Sequence, residues 1–541
     1  MKRVKYLMWA LPAFVALQGI AQNNNTAGTQ KVWVADLGNG KFKNPVLHLD
    51  YSDPDAIRVG DDYYMTASSF NHVPGLPLLH SKDLVNWSLI GYALKRNVPE
   101  EHFRAVRNGG GVWAPSIRYH NNEFYIYYPD PDFGIYVIKA KNITGPWTDP
   151  IMVEAGKGLI DPCPLWDTDG KVYLVHGFAG SRAGFKSVLV VKEMNSAGTK
   201  TITDGALVFD GHKEDPTLEG PKFYKRNGWY YIFAPAGGVA TGWQLVLRSK
   251  NVYGPYERKV VMDQGSTPIN GPHQGAWVDT KGGEHWFLHF QDREAYGRIV
   301  HLQPMAWKND WPVIGVDKDG DGKGEPVLEY PKPKTGFTSI DRQPYSDEFS
   351  SHTIGKQWQW QANPFNMKAF PYNGQLRIFA SRIPDSLKNL WEFPSLLMQK
   401  FPAESFTMTA RMLFTPNLIG EKAGLIVFGA DYASVYLEKV KEGIRLGYSI
   451  CTEADKGKPE ISIAGDMVSN GLIYVRVTVQ PGAICTFSYS LDGISFNPIG
   501  EKLLAKPGRW VGAKAGPFCT TVSGGNDAGF VDVDWYRVEA N

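Results

Sequence analysis

The chain has 541 residues, too many for one compact core, so two or more domains are expected. Its 57 Lys+Arg and 55 Asp+Glu residues nearly cancel to a net charge of +2, which gives no support to a nucleic-acid or strongly anionic partner. The aromatics (17 Trp, 26 Tyr, 27 Phe), together with 57 Gly and 36 Pro, point to an all-β chain with short connections. That composition suits stacking against sugar faces, and it suits an aromatic β core with no ligand equally well.

At the N-terminus, Lys2, Arg3 and Lys5 precede an apolar run over residues 6–20 and a small-residue site, Gly19-Ile20-Ala21. This is the pattern of a secretory signal peptide over 1–21, followed by a polar, disordered segment over 22–31. The expectation is an exported protein, periplasmic or extracellular, with no membrane span. Cys163, Cys451, Cys485 and Cys519 have no metal-ligand spacing. Cys163 is expected to be free, and pairing among the other three stays open.

From about residue 45 to 310 one pattern occurs five times: a short strand, a polar turn and an aromatic strand. The copies open at Asp53-Pro54-Asp55, Trp113-Ala114-Pro115, Asp161-Pro162-Cys163, Glu219-Gly220-Pro221 and Pro272-His273-Gln274. Their aromatics fall at Tyr64, Tyr125, Tyr173, Tyr231 and Phe287, at intervals of roughly 50–60 residues, room for one four-stranded propeller blade each. In the fourth copy Asn227-Gly228 marks a tight hairpin turn. The predicted architecture is a five-bladed β-propeller over 32–330, a Pro-containing linker over 331–343, and a β-sandwich over 344–541, where the blade pattern gives way to alternating strands.

Three of the five copies carry an acid near the start of the first strand. Asp53 lies 11 residues before Tyr64, Asp161 lies 12 before Tyr173, and Glu219 lies 12 before Tyr231. In a propeller those strands line the axis, so the three carboxylates are expected at one structural position, converging on one mouth. His273 and Trp113 belong to the same region of the remaining copies. Crowded carboxylates repel, which raises the pKa of at least one and supplies both an acid and a base. Such a pair in an aromatic pocket is the equipment of glycoside hydrolysis. Three carboxylates and a histidine could instead hold Ca²⁺, and each acid alone could simply cap a turn.

Three segments resemble glycoside hydrolase family 43: Ser52-Asp53-Pro54-Asp55 with Arg58-Val59-Gly60-Asp61-Asp62-Tyr63-Tyr64, Trp113-Ala114-Pro115-Ser116, and Ile160-Asp161-Pro162. Glu219-Gly220-Pro221 and Gly297-Arg298-Ile299-Val300-His301-Leu302-Gln303-Pro304 extend the likeness over roughly 45–330. The later domain is similar to the concanavalin-like sandwich that follows some members. The resemblance implies inverting, single-displacement hydrolysis. Asp53 would be the general base, Glu219 the general acid, and Asp161 would tune and orient Glu219. It further implies that Arg298 binds sugar hydroxyls, that His273 sits at the pocket floor, and that Trp113 and Phe70 are wall aromatics. No cofactor is required, and a structural Ca²⁺ near His273 is an option.

The implied substrates are arabinose- or xylose-terminated hemicellulose oligosaccharides, cleaved by exo action. We read α-L-arabinofuranosidase first and β-xylosidase as the alternative. The rival from another class is a non-catalytic carbohydrate-binding propeller. Asp317-Lys318-Asp319-Gly320-Asp321-Gly322 resembles a Ca²⁺ loop but has Leu328, not Glu, at its twelfth position. Asp347-Glu348 and Asp532 with Asp534 could share a cation if the terminal strands pair.

Overall fold

The computed structural model describes residues 32–340, 343–365 and 367–541. The signal peptide and the 22–31 segment read from the sequence lie outside them, as do residues 341 and 342 of the linker. The described chain is almost entirely β. Five four-stranded antiparallel sheets follow one another, each with its strands in chain order. Their innermost strands are Asp55–Val59, Ser116–His120, Leu159–Trp166, Lys222–Arg226 and His273–Asp279. The fourth hairpin is tight, as its sequence predicts. Arg226 pairs with Trp229, and the two turn residues Asn227 and Gly228 have φ of 51° and 73°.

The ring closes through the segment before blade one. Residues 47–51 lie along the first half of Arg298–Lys308 in blade five, with Leu47 bridged to Val300 and the Tyr51 N–H donating to the Arg298 carbonyl at 3.0 Å. Phe42, Tyr63 and Trp87 then bury against Trp286, Leu288 and Val300. This closure carries Asp53, in the first blade, to Arg298, in the last. The expected linker starts at the last residue of a strand: Glu329–Pro331 pairs with Lys41–Lys43.

Two eight-stranded antiparallel-rich sheets make up the second domain. In Leu472–Gln480 the alternation is strict, with Ile473, Val475, Val477 and Val479 buried and their neighbours turned outward. The sandwich core runs on into the propeller, because Ala295, Tyr296 and Ile299 belong to the same apolar cluster. Tyr296 Oη donates to the Glu404 carbonyl at 2.9 Å and accepts from Ala483 N at 2.8 Å. Val73 and Trp360 exchange backbone hydrogen bonds across the same interface.

The four cysteines are buried and free. The acids at the sandwich termini do not gather for a cation. The terminal strands do pair, at Asp347 and Tyr536, but Asp532 is taken by Arg377 and Asp534 by Arg411, while Asp347 accepts from the Trp358 indole.

Candidate active site

Asp53, two residues before the strand Asp55–Val59, and Asp161, at the bulge of Leu159–Trp166, bend into left-handed backbone. Asp53 has φ of 56° and Asp161 of 57°, a conformation that costs a residue with a Cβ and that gathers at functional sites. Register shows which positions are equivalent. Asp55 pairs with Thr66, Cys163 with Val175 and Lys222 with Phe233, each partner two residues beyond the repeat aromatic. Asp53 and Asp161 therefore stand two residues before equivalent points. Glu219 stands three before, and it is Gly220, with φ of 59°, that takes the aspartates' place. The expectation of one shared position is corrected by one residue for Glu219. The offset places the Gly220 N–H where it donates to Asp161 Oδ2 at 2.7 Å, and the side chain of Glu219 beside it. A Cβ at Gly220 would lie 2.5 Å from Gln274 Cγ, so a side chain there would push Gln274 aside.

Asp53 is buried and fully held. Ser68 Oγ and Ser52 Oγ donate to its Oδ2 at 2.5 and 2.8 Å, and Arg298 Nη1 lies 3.3 Å from Oδ1. The same Arg298 nitrogen donates to Ser52 Oγ at 2.7 Å. Asp161 is completely buried. Desolvation, then the facing Glu219 and Asp53 carboxylates, push its carboxyl well above the usual range, against the pull of the Gly220 N–H. Asp161 and Glu219 thus form a pair that favours keeping one proton between them. Glu219 Oε1 lies 2.9 Å from His273 Nε2. His273 is fully buried behind Glu219, so here it orients the acid from outside the cavity lining.

Asp53, Asp161 and Glu219 share one cavity of about 280 Å³. Phe70, Trp113 and Arg298 line it, as expected, and so does Gln274, whose Oε1 has no partner among the described residues. Trp510 also lines it, although it belongs to the sandwich. Its ring lies 5.6 Å from the Arg298 guanidinium, and its own φ is 64°. Gly109 makes room for it: a Cβ there would sit 2.5 Å from Arg509 Cγ and 3.0 Å from Trp510 Cδ1. Sequence reasoning missed Trp510 because the contact joins blade two to a loop some four hundred residues later.

Beneath the carboxylates a layer of side chains plugs the axis, and beyond it the five inner strands line a second cavity of about 460 Å³. The buried Lys222 ammonium donates to Pro115 O at 2.7 Å and to Ser116 Oγ at 2.9 Å. Arg118 pairs with Asp55 at 2.6 Å and donates to Cys163 Sγ at 2.7 Å. A Ca²⁺ ion at His273 would find one unpartnered imidazole nitrogen, Nδ1, and the Gln274 amide oxygen. Water would have to supply most of the six to eight ligands that such an ion takes. Among the described residues one trio of ligand atoms falls within 4.8 Å, that of Asp317, Asp319 and Asp321. Those carboxylates already accept from Gly320 N and Lys323 N, and Lys308 pairs with Asp317 at 3.1 Å.

Two facing carboxyl groups, one of them buried and pushed above the usual range, a third carboxyl hydrogen-bonded to two hydroxyls and an arginine, and an aromatic pocket closed at its base define an acid–base glycosidase. The comparisons agree. The model of glycosyl hydrolases family 43 matches residues 42–312, and the model of the β-xylosidase C-terminal concanavalin A-like domain matches 346–539. The chain belongs to glycosyl hydrolase family 43. It is similar to a protein of Xylanibacter ruminicola, 37% identical over 509 residues that cover 91% of this chain and 88% of that one. It is 31% identical to a β-xylosidase of Formosa agariphila, over 93% of this chain and 91% of that one. It is also 31% identical to the non-reducing end α-L-arabinofuranosidase BoGH43B of Bacteroides ovatus, over 74% and 76% of the two chains. A solved structure described as Bacteroides ovatus xyloglucan GH43B superposes with a TM-score of 0.78 at 25% identity, over 93% of this chain and all of that one.

Proposed function

We propose that this glycoside hydrolase removes single terminal pentoses from hemicellulose oligosaccharides, with β-xylosidase activity as the first reading. The observation that carries the exo reading is the shape of the cavity: Trp510 walls one side, the Lys222 and Arg118 networks fill the base, and about 280 Å³ remains. The preference for xylose departs from the arabinose reading of the sequence. Its support is the name of the Formosa relative and the match of the very domain that supplies Trp510 to a β-xylosidase domain model. The Bacteroides relative supports α-L-arabinofuranosidase as the second reading.

In this mechanism Asp53 is the base. Its carboxylate accepts a proton from water while Ser52, Ser68 and Arg298 hold its orientation. Glu219 donates the proton of the Asp161–Glu219 pair to the leaving oxygen, and His273 fixes its carboxyl. Arg298 and Gln274 face the sugar hydroxyls. The displacement is single and inverting, and no step runs through a metal. The N-terminal sequence supports export before action.

Side-by-side kinetics on aryl β-xyloside and aryl α-L-arabinofuranoside choose the sugar. Asp53→Asn and Glu219→Gln should each lower kcat by about 10²–10⁴. Wild-type rates in both variants would sink the catalytic assignment, and NMR detection of a retained anomer would sink single displacement. A secreted protein whose N-terminus begins after residue 21 is expected by mass spectrometry.

A further inference from the structure

The cavity beyond the plug is the second mouth of the propeller. Residues before or early in the inner strands, such as Asp53, Asp161 and Gln274, line the catalytic pocket. Later residues of the same strands, among them Arg58, Trp166, Lys225 and Asp279, line the far cavity. At about 460 Å³ it is larger than the pocket, and its whole lining belongs to the propeller. Water reaches it, since Tyr119 is 40% exposed and the Asp279 side chain 43%. Two ring pairs stand in this mouth. His120 stacks on Trp166, with centroids 4.7 Å and planes 13° apart, and Trp166 also packs against Tyr125 at 4.9 Å. Tyr224 meets Trp277 edge to face at 5.2 Å and its Oη accepts from Trp277 N at 3.1 Å, while the Trp277 indole donates to His285 Nδ1 at 3.1 Å. The rings are thus fixed before anything binds, and a ligand that covers them removes apolar surface from water.

We propose that this far mouth is a second, non-catalytic binding site for a neutral oligosaccharide, whose sugar faces stack on Trp166 and Trp277 and whose hydroxyls meet Arg58 and Asp279. Charge supports neutrality, because the cations of the mouth already have partners. Arg58 meets Asp279 at two points, 2.9 and 3.0 Å, Arg118 in the floor pairs with Asp55 at 2.6 Å, and Lys225 pairs with Asp167. The lining therefore offers donors and acceptors without a net field for an acidic ligand. One acceptor is left over at the floor: Asp55 Oδ1 is buried and has no partner among the described residues. The lining alone sets the ligand class, and the choice of a pentose chain as first candidate rests on the pentosidase reading of the pocket. Because the plug of Lys222, Ser116, Arg118 and Cys163 separates the two mouths, occupation of this one leaves the catalytic groups free.

The test is calorimetric titration of full-length Glu219→Gln, which keeps both mouths but not the acid, with xylohexaose and, in parallel, with α-1,5-arabinohexaose and cellohexaose. The expected result is two sites per chain for at least one of them, xylohexaose first. In that background Trp166→Ala should weaken one site by at least about tenfold, the loss of one aromatic anchor, and leave the other unchanged. Tyr119→Ala, at the exposed rim, should weaken the same site by a smaller factor. In the active enzyme both substitutions should leave aryl-pentoside kcat/KM within twofold, and melting curves check that each variant folds. Absence of a Trp166-dependent site for all three oligosaccharides, or a second site that survives both substitutions in folded protein, would overturn the proposal. The two readings fail separately: a wild type that cleaves no aryl pentoside would overturn the pentosidase reading, while the titration alone decides the far mouth.

Discussion

Asp50 carries the clearest mutational prediction, because one buried carboxylate joins both domains to Arg298 of the pocket. Its Oδ1 accepts from Arg298 N and its Oδ2 from Gly512 N, each at 2.9 Å, and its carbonyl accepts from Lys400 Nζ at 2.5 Å. Gly297 permits the approach, since a Cβ there would lie 2.4 Å from Asp50 Cγ. In Asp50→Ala two buried N–H groups lose their acceptor, at about 1–3 kcal/mol each, so the loss is about 2–6 kcal/mol. The Asp50 charge also offsets the buried Lys400 ammonium, and its removal adds to the cost. The loop bearing Trp510 is released from one side and the Arg298 backbone from the other. A displacement of about 1 Å in such positioning groups lowers kcat/KM by roughly 10²-fold. Thermal unfolding should fall by several degrees, and aryl-pentoside kinetics should show the loss in kcat/KM. Asp50→Asn, which keeps one acceptor oxygen, should lie between the two. Wild-type kcat/KM and melting in Asp50→Ala would refute the reasoning.

Asp161→Asn removes one partner of the proton-sharing pair. Activity should fall at neutral pH, and the optimum should move to more acidic pH, because one carboxyl now has to hold the proton without a facing charge; an unchanged pH–rate profile would count against the pair. Trp510→Ala should lower kcat/KM, and Gly109→Ala should reproduce part of that loss by displacing the indole, read as a shift in tryptophan fluorescence together with a raised KM. Lys514→Met should raise the melting temperature. Burial, then the neighbouring Lys400, push the Lys514 ammonium well below its ordinary range, so the unfolded chain binds the extra proton and stability rises with pH up to about 10.5. The gain from methionine is therefore larger at pH 7 than at pH 10, and an equal gain at both would contradict it.

The repeat was legible because its aromatics and turns are local: a strand, two positive-φ residues and a second strand are written in consecutive residues, as at Lys222 to Ala236. Asp53, Asp161 and Glu219 could be found by counting back from those aromatics. The one-residue offset of Glu219 could not, since intervals of 11, 12 and 12 mix a hairpin turn one residue longer after Asp161 with real displacement at Glu219, and only pairing separates them. Phe70, Trp113 and Arg298 entered through the family resemblance, and the cavity receives all three. Asp50, Gly109 and Trp510 carried no local signal. Asp50 reads as one more polar residue before a strand, and Trp510 as a loop aromatic, until the sandwich docks. The sandwich strands were read from alternation, but its part in the active site depends on contacts far apart in sequence.

The plugged axis has a kinetic consequence. With Lys222, Ser116, Arg118 and Cys163 occupying the channel, the pocket has one doorway, and the cleaved sugar sits behind its former partner. The partner must depart first, which makes release ordered. The free monosaccharide should then compete directly with substrate, whereas the shortened chain should inhibit non-competitively. The chain must also leave before the next terminal unit can enter, so trimming proceeds by separate encounters rather than by sliding, and every oligosaccharide in a mixture should shorten at the same time.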